Sequence, residues 1–137
     1  EYSIVADSVK RQFVSGNFDE AYLSAGFRAA RDTSCARAAF LTRIAGQFLT
    51  KDPNQCASFL LGAVLQNDVS AIRSSKALRV NPQMHVLIAG KKPLRSAIKT
   101  LLVEDGYFTD IETFENDPDR PMAGYGALLI AQKRGDF

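Results

Sequence analysis

The sequence predicts a helix-rich α/β fold, four helices followed by β-α-β-α, with its two strands parallel. Three observations predict it. As far as Ser75, apolar residues recur at helical spacing, broken only by glycines and capping residues. A short branched run, His85-Val86-Leu87-Ile88-Ala89, then stops at Gly90. Beyond Gly106, residues Asp110 to Phe114 alternate polar with apolar, the pattern of a half-buried strand. A helix joining two strands carries the chain back to the same end of the sheet, so the strands are expected to be parallel with a right-handed crossover. A chain of 137 residues makes a single domain, 1–137.

Each element has its own signals. Ser3 to Ser15 sets Ile4, Val5, Val9, Phe13 and Val14 on one helical face, and Gly16 ends it. Asn17 is placed to cap a second helix, with Glu20 three residues on as in a capping box. Phe18, Tyr22, Ala25 and Ala29 form its inward stripe, and it ends near Asp32. A third helix is expected from Ser34 to Leu49, turning Ala38, Leu41, Ala45 and Phe48 inward. Asp52 caps a fourth and Pro53 occupies its first position, where a missing N–H does no harm. That helix carries Cys56, Leu60, Ala63 and Val64 as far as Ile72, and its Ala57, Gly62 and Ala63 allow a neighbouring helix to come close.

A polar connector from Ser74 to Pro82 leads into the buried strand at His85. Pro93 opens the next helix, whose face is Leu94, Ile98, Leu101 and Leu102 and whose end is Gly106. Asp117-Pro118-Asp119-Arg120-Pro121 punctuates again, and Pro121 starts a last helix with Ala127, Leu128, Ile130 and Ala131 inward. Gly124 and Gly126 each cost about 1 kcal/mol in a helix interior, so close packing on the sheet is expected to compensate, in preference to a ligand. Two parallel strands do not make a stable sheet, and an edge such as Val86-Leu87-Ile88 would recruit other strands. Further strands are therefore expected, from the rest of a longer chain or from a homo-oligomer.

Composition excludes several classes. Hydrophobic residues at 46% and charged residues at 23% belong to a globular protein, not a disordered one. Seventeen Lys and Arg against fifteen Asp and Glu leave +2, no reason to expect nucleic acid or a membrane as partner. No apolar run reaches the roughly 20 residues of a membrane helix; the longest, Ala36 to Leu49, is broken by Arg37, Thr42, Arg43 and Gln47. The opening residues have neither an initiator Met nor the pattern of a signal peptide, so a processed or excised segment is expected. Cys35 and Cys56 are too few for a disulfide scaffold and lack metal-ligand spacing; buried thiols in a reducing cytosol are expected.

The residues with most to say about function are Ala89-Gly90-Lys91-Lys92-Pro93, a strand–Gly–helix turn. Unpaired N–H groups and the helix dipole favour an anion there, Gly90 lets a phosphate approach the backbone, and the carboxyl end of a parallel strand is where open α/β sheets take ligands. From Arg73 to Lys99 the chain has Arg73, Lys76, Arg79, Lys91, Lys92, Arg95 and Lys99 and no acid. The simpler alternative is a tight turn with solvated lysines. A Walker loop is excluded, because Pro93 stands where a magnesium-binding hydroxyl would be needed.

Elsewhere the structural readings are favoured. The acids Glu104, Asp105, Asp110, Glu112, Glu115, Asp117 and Asp119 make a solvated face more readily than a metal site. His85 is the sole histidine, leaving no pair for a metal, and a structural imidazole is expected. Arg43, among Leu41, Ile44, Ala45 and Phe48, is a better internal cation than Arg37, although snorkelling to solvent is the commoner outcome. No Ser or Cys has a nucleophile motif around it.

Several stretches together carry a family likeness: Phe18-Asp19-Glu20-Ala21 into Gly26; Phe40-Leu41-Thr42-Arg43; Ala57-Ser58-Phe59-Leu60-Leu61-Gly62-Ala63; Val86-Leu87-Ile88-Ala89-Gly90 with Pro93-Leu94; and Gly126-Ala127-Leu128. In this order and spacing, from Phe18 onward, the chain resembles the carboxyl-terminal portion of the 2-dehydro-3-deoxygalactonokinase (2-keto-3-deoxygalactonate kinase) family. The resemblance implies a helix-rich second-lobe fragment of a ribonuclease-H-like fold, of the actin and hexokinase ATPase type. It also implies a cytoplasmic enzyme of carbohydrate metabolism that transfers phosphate from ATP, with Mg2+, to a keto-deoxy sugar acid. Carried onto this chain, it sets Ala89, Gly90, Lys91 and Lys92 beside the nucleotide and leaves the catalytic base outside, so that this portion would be inactive alone. One glycine followed by Lys91-Lys92 departs from the paired glycines frequent in that superfamily. The alternative is a non-catalytic nucleotide-binding or interaction module of the same fold.

Overall fold

A computed structural model of the chain describes residues 5–9, 17–115 and 122–135. The element order is α1 (Ala6–Val9), α2 (Glu20–Asp32), α3 (Cys35–Phe48), α4 (Pro53–Ser74), β1 (His85–Ile88), α5 (Leu94–Asp105), β2 (Asp110–Thr113) and α6 (Met122–Arg134). This is an α/β arrangement with the expected four helices followed by β-α-β-α. The expected first helix beyond Val9 and the Asp117–Pro121 punctuation lie outside the described residues.

Three side-chain caps start the long helices. Asp19 accepts from the Tyr22 N–H, Ser34 from Arg37 N–H and Asp52 from Asn54 N–H, each meeting a donor that the first turn leaves unpaired. The cap of α2 is thus Asp19, not Asn17: the chain is still extended at Asp19, and its carboxylate is the one in reach. The inward stripe shifts with it. Leu23, Gly26, Phe27 and Ala30 are buried, while Phe18, Tyr22, Ala25 and Ala29 are only half-buried. Gly106 ends α5 in a left-handed conformation, φ 67°, which only glycine adopts without strain.

The layers run from α3, through the paired α2 and α4, to α5 and then the sheet; α1 lies against α3 and α4. The α2–α4 contact is the closest in the fold. A Cβ on Gly26 would fall on the Phe59 carbonyl, and one on Gly62 would fall on the Leu23 carbonyl, so the two backbones touch through both glycines. The main core gathers Leu23 and Phe27 of α2, Leu65 and Val69 of α4, Ile88 of β1, Ala97, Leu101 and Leu102 of α5, and Phe108. A polar knot closes the other end. Buried Ser58 accepts the Asp19 N–H at 2.9 Å and donates to the Asn54 carbonyl at 2.7 Å, while Gln55 Nε2 donates to Asp19 Oδ2 at 3.2 Å.

The strands pair in parallel, His85 opposite Asp110 through to Ile88 opposite Thr113. One face, with Val86, Ile88 and Ile111, joins the core on α5. The other, carrying His85, Leu87, Asp110 and Glu112, is open to solvent, so β1 is not the buried strand its branched residues predicted. Only Ile88 is fully covered, because α5 shields one face and nothing described shields the other.

Further expectations fail for the same lack of a covering layer. Phe48 is 79% exposed, and Val64 and Leu94 are exposed as well. α6 packs against no other described element; Ala127, Leu128 and Ile130 are exposed and Ala131 is half-buried. Space is also open around Gly124 and Gly126, so no close packing there offsets their helical cost among the described residues. Cys56 is buried as expected, Cys35 half-buried, and both thiols are free.

Candidate functional site

The turn at the end of β1 takes its shape from glycine. Gly90 has φ 131°, a backbone conformation that a side chain strains, and beyond its two chain neighbours no described residue comes within 4 Å of where its Cβ would be. The turn is therefore restricted by backbone conformation and open in space. Ala89, Gly90, Lys91 and Lys92 are all exposed. Pro93, at the head of α5 and not inside it, has no side chain to cap the first turn; the Arg95 N–H donates to the Lys91 carbonyl at 3.1 Å and the Ala97 N–H to Pro93 at 2.9 Å.

β2 ends beside this turn. The Phe114 N–H donates to the Ile88 carbonyl at 2.8 Å, one step beyond the last strand residue, so the two carboxyl ends finish side by side. Arg95 ties them to α5. Its guanidinium, only 8% exposed, donates from Nη1 to the Phe114 carbonyl at 2.7 Å and from Nη2 to Glu115 Oε1 at 2.9 Å. Glu115 is itself 79% exposed. Three cations, Lys91, Lys92 and Arg95, thus come to one end of the sheet, with Glu115 the carboxylate that meets them among the described residues. An anion is the ligand this arrangement can take.

Sequence reading placed Arg95 in a basic run and missed its burial. A signal existed: Arg95 precedes Ile98 by three residues and Leu102 by seven, which is the inward stripe of α5. Arg73, from the same run, is engaged elsewhere: it donates to both Asp105 oxygens, at 3.0 and 3.1 Å, and stacks over the Tyr107 ring at 4.5 Å.

Asp117 and Asp119 of the acidic stretch lie outside the described residues, and the other five acids stand beside cationic or imidazole partners. Glu104 accepts from Arg28 at 2.7 Å, Asp105 from Arg73, Glu115 from Arg95, and Asp110 and Glu112 flank His85. No group of His, Cys, Asp or Glu suited to a metal ion occurs among the described residues. His85 is the first residue of β1 and stands on the open face. The hydrogen bond to Asp110, followed by that carboxylate's charge, holds its pKa above the ordinary value. Burial, then the Asp52 charge, pushes the Cys56 thiol up, which leaves it protonated and a poor nucleophile.

Comparison with protein-family models, with curated proteins and with solved structures returned no match. No described helix is long and apolar enough to cross a membrane.

Proposed function

We propose that Ala89, Gly90, Lys91 and Lys92, backed by Arg95, form one wall of a nucleotide-phosphate pocket at the carboxyl end of an incomplete parallel sheet. The observation that carries this is the junction itself: an open glycine turn, three cations and two strand ends meeting at the head of α5. A bare sheet face and two strands without outer neighbours among the described residues favour further strands completing the layer. The family likeness supplies the rest of the reading: a ribonuclease-H-like lobe of a cytoplasmic sugar-acid kinase that uses ATP and Mg2+ to phosphorylate 2-dehydro-3-deoxygalactonate.

The described residues supply binding and orientation in this reading, and no catalytic base. Phosphoryl transfer depends mainly on positioning and electrostatic stabilisation, so a wall of the pocket contributes only when the opposing lobe closes on it. The Mg2+ and the base would be held by that other part.

Two measurements test it. In an NMR titration of the chain with ADP, the Gly90, Lys91 and Arg95 amides are expected to shift, and Gly90→Val to abolish the shifts. Unmoved amides in the folded wild type would remove the anion site. The full-length polypeptide should release ADP from ATP only when the keto-deoxy sugar acid is supplied. Amide shifts without sugar-acid-dependent turnover would favour the second reading, a non-catalytic nucleotide-binding or interaction module, to which the open sheet face and solitary α6 also lend weight.

A further inference from the structure

The open face of the sheet holds one imidazole between two carboxylates. His85 and Asp110 are direct partners in the parallel register, and Nδ1 lies 2.9 Å from Asp110 Oδ2. Glu112, two residues along β2 and therefore on the same face, reaches Nε2 from the other side at 3.4 Å. The two acids address different ring nitrogens, so the trio grips a proton-bearing ring and does not converge on a metal ion.

A neutral imidazole has one N–H and one lone pair. Whichever tautomer it takes, one carboxylate then faces a lone pair, and the face carries two uncompensated negative charges. The imidazolium has two N–H groups, donates to Asp110, attracts Glu112 by charge and halves that net charge. Only the charged ring suits a carboxylate on both sides.

The strands it joins need the help. Each is four residues long, and a two-stranded parallel pair is weak by itself. We propose that His85 is a proton-operated clasp across this pair: protonated, it hydrogen-bonds Asp110, attracts Glu112 and holds β1 to β2; deprotonated, it leaves the two acids uncompensated and the pairing loosens.

Among the described residues, the groups facing the ring are few. β2 presents Asp110 and Glu112, β1 itself presents Leu87, and the approach from Asn81 to Met84 is uncharged. α5 lies on the opposite face, with Val86, Ile88 and Ile111 between it and the ring. The direction of the response follows from the geometry. A histidine whose folded pKa is raised contributes stability that is fully present below its ordinary value of 6.5 and is lost as pH rises through the raised folded value. The clasp is independent of what the Gly90 turn binds.

As the sole histidine of the chain, His85 gives imidazole signals that are its own. NMR of the full chain from about pH 5 to about pH 8.5, which spans histidine titration, would follow the ring together with amide exchange in β1 and β2, corrected for intrinsic rates. The ring is expected to titrate above 6.5, with Asp110→Asn and Glu112→Gln each lowering the midpoint. Protection of the strand amides should fall several-fold as pH crosses that midpoint. His85→Lys, cationic throughout, should keep its protection across the range. An ordinary midpoint, equal protection on both sides of it, or a wild-type fall in His85→Lys would each overturn the proposal.

Discussion

Arg95 shows how much one side chain can settle. A guanidinium desolvated at the head of a helix needs partners, and it finds them on the segment leaving β2, across from its own helix. The main-chain carbonyl of Phe114 fixes one prong; an exposed carboxylate balances the charge. Removing the side chain strips the tie between α5 and the strand ends and leaves that carbonyl to water. Arg95→Ala is expected to lower stability by roughly 2 kcal/mol, the scale of a hydrogen bond to a charged group, measured by urea unfolding. Arg95→Lys should recover only part of this, because a single ammonium cannot span both acceptors as the fork does. Equal stability of wild type and Arg95→Ala would mean that the ion pair is incidental.

At the scale of elements, the α2–α4 contact is the joint on which the core depends. Helix backbones normally stand 8–10 Å apart because side chains separate them; at Gly26 and Gly62 nothing separates them. Each glycine presses on a main-chain carbonyl, which cannot rotate aside as a side chain would. Gly62→Ala should therefore cost about 1–3 kcal/mol or more, as overpacked cores do, despite alanine's better helix propensity. The check is a thermal melt of Gly62→Ala beside Gly124→Ala. Gly124 has open space around it, so its substitution should be neutral or stabilising by up to about 1 kcal/mol.

Over the whole molecule the apolar surface is unevenly spent. The α2, α4 and α5 faces share one core, while Leu87 on the sheet, Phe40, Phe48 and Leu49 by α3, and Leu128, Leu129 and Ile130 on α6 remain exposed. Contiguous apolar faces and unpaired strand edges seek cover. The chain is expected to associate with rising concentration in sedimentation velocity, and Leu87→Lys, placing a charge on the bare sheet face, to weaken that association. A monomer at every concentration would show that the two-stranded sheet tolerates water on its open side.

The order of elements, the Asp52 cap, the Gly106 stop and the small-residue approach on α4 were legible in the sequence, since each depends on neighbours within a turn or two. So was the turn at Gly90, because strand, glycine and helix are contiguous. The Asp19 cap lay two residues from its predicted place, and the buried stripe of α2 lay one residue on from the predicted one, on the side that α4 and α5 cover. What the tertiary structure alone decided are relations between distant segments: Arg95 on Phe114 and Glu115, His85 between Asp110 and Glu112, Gly26 against Phe59, and the bareness of Phe48, Leu87 and α6. Periodicity states which side of an element is apolar; whether another layer arrives to cover it depends on where the other elements go in space.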